Sequence, residues 1–271
     1  MRKIAILGFK GGIGKTTTCV NLGAALALKG QRVLLIDTDT QANLAMSLGI
    51  TSYKNSLADV LTRKAAAEES IIQARKNLFL LPSSMALFKV QQRMVLEMAR
   101  EEMFQELFAG LDDYDYLLLD CAPSLSILNI NAIAYAEEVF IPVSMEMLAM
   151  AGARQFMEYL SIVNRTLGGS ASIRLIIPTM YDPRRRVSKE VIRLLMQLGP
   201  RVTRPIRVDT LLSEAPGQGH TIFEYAPRSR GAVDYAQLTE TVAKMRPLTP
   251  PTGRVVPPIV RNQQRDQPAQ A

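Results

Sequence analysis

The chain has 271 residues, 48% of them hydrophobic, and a mean hydropathy close to zero; this is enough for one large α/β core and predicts one domain, residues 1–246, followed by a tail, residues 247–271. Arg2 and Lys3 precede only a short apolar run before Gly8, and no later run reaches the roughly 18 apolar residues of a membrane span, so neither a secretory leader nor a membrane segment is expected and a cytoplasmic protein is. Cys19 and Cys121 are too few and too far apart for a disulfide framework or a zinc site, and the net charge of +7 points to a polyanionic partner.

Ile4 to Leu7 reads as a buried central strand. Behind it stand Lys10, Gly11, Gly12, Ile13, Gly14, Lys15, Thr16 and Thr17, ahead of a helical pattern that runs to about Lys29. Glycines at these positions let successive N–H groups turn inward around a polyphosphate at a helix N-terminus; Lys15 supplies a point charge and the Thr16 hydroxyl a magnesium ligand. The ordinary pattern G-x-x-x-x-G-K-[ST] wants glycine where this chain has Phe9, and a second lysine, Lys10, marks a deviant form. Val33 to Ile36 is the next strand, and it runs into Asp37 and Asp39 at the end of a parallel strand, where ligands of open sheets collect.

Residues 44–76 are expected to be mostly helical, with a helix start at Ala65–Glu69. Leu78 to Leu81 predicts a strand, and Ala86 to Ala109 a Met-rich helical stripe that includes Met94, Met98 and Met103. Tyr116 to Leu119 followed by Asp120 fits a Walker B strand, whose terminal carboxylate holds magnesium. A helix over 125–136, a strand over 139–143, a helix over 146–167 and a strand over 173–177 follow. This alternation predicts an α/β fold with a mostly parallel sheet and helices on both faces.

From Ser172 to Arg207 the basic residues exceed the acidic ones by seven, which suggests a nucleic-acid surface. A helix near 187–198, a helix start at Asp209 and a last helix over 231–244 complete the domain. His220, the only histidine, lies in a Gly-rich turn without triad partners and is assigned no catalysis. The tail is rich in Pro, Gln and Arg, predicting disorder, and its prolines argue against an amphipathic membrane anchor.

The Lys10–Thr17 loop, Asp37–Asn43, Asp120–Leu125, Thr179–Asp182, Ser213–Pro216 and Tyr225–Gly231, in that order, resemble the ParA/Soj group of deviant Walker A ATPases within the ParA/MinD superfamily. The resemblance covers residues 1 to about 245. It implies an ATPase, with ATP and Mg2+, that sandwiches two nucleotides between two subunits of a homodimer. Lys10 would be the signature lysine that reaches the partner's phosphates; Asp39 the acid that positions the attacking water and flanks the metal with Thr16 and Asp120; Ser124 part of a γ-phosphate-sensing switch. It further implies ATP-dependent, non-specific DNA binding, a ParB-like or cargo-adaptor protein that stimulates hydrolysis, association with the nucleoid, and partition or positioning of chromosome, plasmid or other cargo.

Arg184, Arg185, Arg186, Lys189 and Arg193 are the first candidates for the phosphate contacts. Val208 and Leu211 stand where the family commonly has arginines; either Arg204 and Arg207 compensate from neighbouring positions, or the grip falls mainly on the triple arginine. Thr40 replaces the usual proline, with no change of chemistry expected. A MinD-like membrane switch would need a C-terminal amphipathic anchor, and a cluster carrier like the nitrogenase iron protein would need exposed cysteines. A scaffold without hydrolysis sits poorly with Lys10, Lys15, Asp39 and Asp120 all in place, and the chain has no Asn-Lys-x-Asp guanine-reading motif.

Overall fold

The computed structural model describes residues 1–96 and 101–248, so the tail beyond Leu248, and Met98 of the Met-rich stripe, lie outside the described residues. In chain order the elements are β1 (Arg2–Ile6), α1 (Lys15–Leu28), β2 (Val33–Asp37), α2 (Asn43–Ser47), α3 (Leu57–Leu61), β3 (Ile72–Arg75), β4 (Leu78–Leu81), α4 (Ala86–Met94), α5 (Met103–Leu107) and β5 (Tyr116–Asp120). Then come α6 (Ile127–Tyr135), β6 (Glu138–Ser144), α7 (Met147–Leu167), β7 (Ser172–Thr179), α8 (Arg186–Leu195), β8 (Arg201–Val202), α9 (Leu211–Glu214), α10 (Ile222–Tyr225) and α11 (Arg230–Lys244).

One eight-stranded sheet runs in the order β3-β4-β2-β5-β1-β6-β7-β8, with every pairing parallel except β3 with β4. Its central strands each carry an apolar run, Ile4–Ile6, Val33–Ile36, Tyr116–Leu119 and Val139–Val143, because both of their faces are covered. Alternate residues of β1 and the position after it serve opposite cores: Ile4 and Ile6 pack with α1, α2 and α11, while Ala5 and Leu7 pack with the helices from α3 to α8. The register sets Asp37 opposite Asp120 at the carboxyl ends of β2 and β5, with Ile6 of β1 opposite Asp120 on the other side. The loops that carry the candidate chemistry therefore emerge together at one edge of the sheet.

Residues 44–76 are not mostly helical. They hold the five-residue helices α2 and α3, a single 3-10 turn at Glu68–Ser70 instead of a helix start, and β3, an edge strand turned back onto β4 through Asn77 at φ 61°. Four residues of weak alternation gave β3 no periodic signal, and β8, a two-residue strand, gave none either. The Ala86–Ala109 stripe is divided between α4 and α5. Helix α6 begins at Ile127, where the Ser126 hydroxyl accepts the Asn129 N–H as a cap. Among the described residues no helix is long and apolar enough to cross a membrane.

Candidate nucleotide site

Gly14 initiates α1 in the left-handed conformation, φ 89°, and Gly12 lies at φ 69°, so the loop turns twice through backbone angles that side chains resist. Ile13 between them is buried and pins the loop from below: its carbonyl accepts the Thr179 hydroxyl from the end of β7 at 2.8 Å. Gly11 and Gly12 have open space above them, and the loop's outer face is exposed. A run of N–H groups at the start of a helix, framed by a rigid strand end, is an anion cradle.

Lys15 curls back over this cradle, its ammonium donating to the Lys10 carbonyl at 3.0 Å. Burial lowers its pKa, against the pull of Asp120 and Asp39. The Thr16 hydroxyl donates to Asp120 Oδ2 at 2.7 Å, while Asp120 Oδ1 is buried with no protein partner. Burial raises the Asp120 pKa to about 7, tempered by the Thr16 hydrogen bond and by Lys15. Asp37, wholly buried beside it, accepts the N–H groups of Asp39 and Leu44, both at 3.0 Å, and so shapes the turn that follows β2. Burial, and next the charge of Asp120, push its pKa well above the ordinary range.

Asp39 is half-buried and its Oδ1 caps the Gln41 N–H. Among the described residues no cluster of three His, Cys, Asp or Glu could cage a metal. A hydroxyl, one orphaned carboxylate oxygen and a phosphate cradle do suit Mg2+, which keeps most of its waters and takes the rest of its shell from phosphates.

Lys10, half-exposed at the loop's outer edge, forms an ion pair with Glu146, the residue that opens α7. Nothing in the sequence pairs Lys10 with Glu146 of its own chain; the one signal for Glu146 is its place just past a parallel strand. The segment around Ser124 is held by Asn129, whose side-chain amide donates to the carbonyls of Ala122 and Ser124, leaving Leu125 exposed.

A cavity of about 450 Å³ opens beside Gly14 and Thr17, large enough for a nucleoside. Met145, Met180, Val208 and Leu212 supply apolar walls; Glu146 and Arg185 stand in its lining as a pair of opposite charges. Met180 adopts φ 55°, a left-handed conformation rare for a side chain of its size, at the end of β7. The loop beyond it is tied to the 206–208 segment by Tyr181 N–H to Ile206 O and Val208 N–H to Tyr181 O, both at 3.0 Å.

The basic residues do not form one free surface. The Arg207 guanidinium is held on Asp234 of α11, with its closest contact at 2.7 Å, and Arg184 on Asp182 at 3.0 Å, holding that carboxyl down to about 2. Arg204 reaches Gln237 at 3.4 Å. Arg185 lines the nucleoside-sized cavity. Arg186, Lys189 and Arg193 repeat at helical spacing on the exposed face of α8, whose Val191 and Leu195 are buried.

Residues 1–173 match the AAA domain family. The chain is 38% identical over 247 residues to the sporulation initiation inhibitor protein Soj of Bacillus subtilis, covering 89% of this chain and 97% of that protein. It is 34% identical over 254 residues to the chromosome partitioning protein ParA of Caulobacter vibrioides, covering 89% and 94%. Cobyrinic acid a,c-diamide synthase from Mycobacterium smegmatis, solved with a bound ATP analog and magnesium, superimposes with a TM-score of 0.79 at 28% identity, over 92% of this chain and all of that one. By its sheet order, its two-lysine phosphate loop and these relatives, the chain belongs to the ParA/MinD superfamily of P-loop ATPases, on the side of Soj and ParA.

Proposed function

We propose that the chain hydrolyses Mg-ATP within a homodimer, binds DNA without sequence preference in the ATP state, and so positions a chromosome, plasmid or other cargo under the control of a stimulating partner protein. The observation that carries this reading is the joining of two lysines of different roles in one loop: Lys15 folded over the cradle, Lys10 directed outward to an exposed ion pair. A loop that served only its own nucleotide would have no use for the outward lysine. The N–H groups of residues 11–17 and Lys15 hold the phosphates, and the cavity beside Thr17 takes the base. Thr16 and Asp120 would hold Mg2+, which would withdraw charge from the phosphates. Asp39 orients the attacking water and receives its proton; Lys10 of one subunit offsets the charge that builds on the other's γ-phosphate. The Ser124 segment reports the γ-phosphate to the dimer face.

DNA is gripped chiefly by Arg186, Lys189 and Arg193, with Arg184, Arg204 and Arg207 restrained by partners of their own. Two subunits then offer six cations, which sets the expected salt dependence: affinity for a random duplex should fall by about 10³ between about 50 and 200 mM salt. The test measures duplex binding with ADP and with ATP over a salt series, on the wild type and on Arg186→Glu with Lys189→Glu, alongside turnover of Asp39→Ala. Binding confined to ATP, lost in the charge-reversed variant, and no turnover without Asp39 are expected. Equal binding in both nucleotide states would overturn the switch.

A further inference from the structure

Lys10 is engaged in cis: its ammonium sits on the Glu146 carboxylate, both side chains about half exposed. To act across a dimer it must leave. Its departure would strand Glu146 as a bare carboxylate at the rim of the nucleotide cavity, where a second polyphosphate arrives and like charge is most costly. Something of opposite sign has to take the lysine's place.

Among the described residues one cation is placed to do so. The two arginines flanking the cavity's basic side are occupied, Arg184 by Asp182 and Arg207 by Asp234. Arg185 lines the same cavity as Glu146, makes no ion pair among the described residues, and stands at the N-cap of α8. Its charge already joins that of Lys10 in holding the Glu146 carboxyl below its ordinary range. We propose that Arg185 is a positioning residue rather than a DNA contact: it takes over the Glu146 carboxylate when Lys10 swings to the partner's phosphates, so that the lysine is transferred without leaving an unpaired acid behind. This rests on the dimer reading above.

The test is the ATP-dependent dimerisation constant by analytical ultracentrifugation, with a non-hydrolysable ATP analogue and no DNA, for wild type, Arg185→Ala, Arg185→Lys, Glu146→Gln and the double variant Arg185→Ala with Glu146→Gln. An exposed ion pair formed twice per dimer predicts that Arg185→Ala weakens dimerisation by about three- to ten-fold, that Arg185→Lys restores most of it, and that the loss vanishes in the Glu146→Gln background. Since DNA is absent, a phosphate-contacting arginine would move none of these values. Wild-type strength in Arg185→Ala, or the same loss with Glu146→Gln present, would overturn the inference while leaving the dimer reading intact. A wild type that stays monomeric with the analogue would overturn both.

Discussion

Asp120 shows at a single residue how a nucleotide site trades stability for chemistry. One of its oxygens takes the Thr16 hydroxyl and the other is buried with no partner, and burial raises its pKa from 3.8 to about 7. A carboxyl raised in this way binds its proton more tightly folded than unfolded. Across the window from 3.8 to about 7 the native state holds a proton that the unfolded state has released, so this group's contribution to stability falls as pH rises and levels off above the window. Asp120→Asn abolishes the titration and keeps an oxygen for Thr16. In the absence of nucleotide the variant should gain on the order of 1–3 kcal/mol at about pH 8 and little at about pH 4, while losing affinity for Mg-ATP. Denaturant unfolding at the two pH values checks it; an equal gain at both would show that ionisation is not the source.

At the scale of elements, the phosphate loop depends on how closely α1 lies on the sheet. Gly23 makes that approach possible: a Cβ there would meet Leu35 Cδ2 at 2.7 Å, with Leu78 and Leu118 just beyond. Gly152 in α7 has nothing within 4 Å of its missing Cβ. Replacing a helical glycine by alanine gains about 1 kcal/mol of backbone propensity, whereas overpacking a core costs about 1–3 kcal/mol, so the same substitution should have opposite signs at the two sites. Gly23→Ala should destabilise by up to about 2 kcal/mol and Gly152→Ala stabilise by up to about 1 kcal/mol, as thermal unfolding of the two variants would show.

Why parts of this architecture were legible in the sequence follows from the same elements. The strands β1, β2, β5 and β6 each hold an apolar run with polar or charged residues at its ends, and the Gly-rich loop carries its conformation in its composition. The antiparallel β3 has only four residues and a short turn. Charge partners are worse hidden: Lys10 and Glu146 lie 136 positions apart, and Arg207 and Asp234 27 apart, so a count of basic residues could not say which were already spent.

Over the whole molecule, the two edges of the sheet do different work. The carboxyl edge carries the nucleotide site, and the amino edge carries a latch. Arg2, at the start of β1, makes a buried two-point contact with Glu138 at 2.7 and 2.8 Å, and its remaining nitrogen donates to the Val242 carbonyl at 2.7 Å and the Met245 carbonyl at 3.5 Å. Arg174 of β7 adds a hydrogen bond to the Arg246 carbonyl at 3.0 Å. The Val242 carbonyl in the last turn of α11 and the Met245 and Arg246 carbonyls just beyond it thus accept from guanidinium groups of two strands, which binds the last helix to the sheet. A chain ended after Leu248 keeps every one of these acceptors, whereas one ended after Lys244 loses those of Met245 and Arg246 together with the packing of Met245 on the core. The shorter chain should therefore lose about 1–3 kcal/mol, seen as a drop of several degrees in Tm, while the chain ending at Leu248 melts with the full-length protein. Because the latch lies at the edge opposite the phosphate loop, both truncated chains should bind ATP with unchanged affinity well below their melting temperatures. A loss of ATP binding in the shorter chain under those conditions would mean that the end of α11 shapes the nucleotide site through Tyr235, which lines the cavity from the same helix and meets the Thr18 hydroxyl at 3.2 Å.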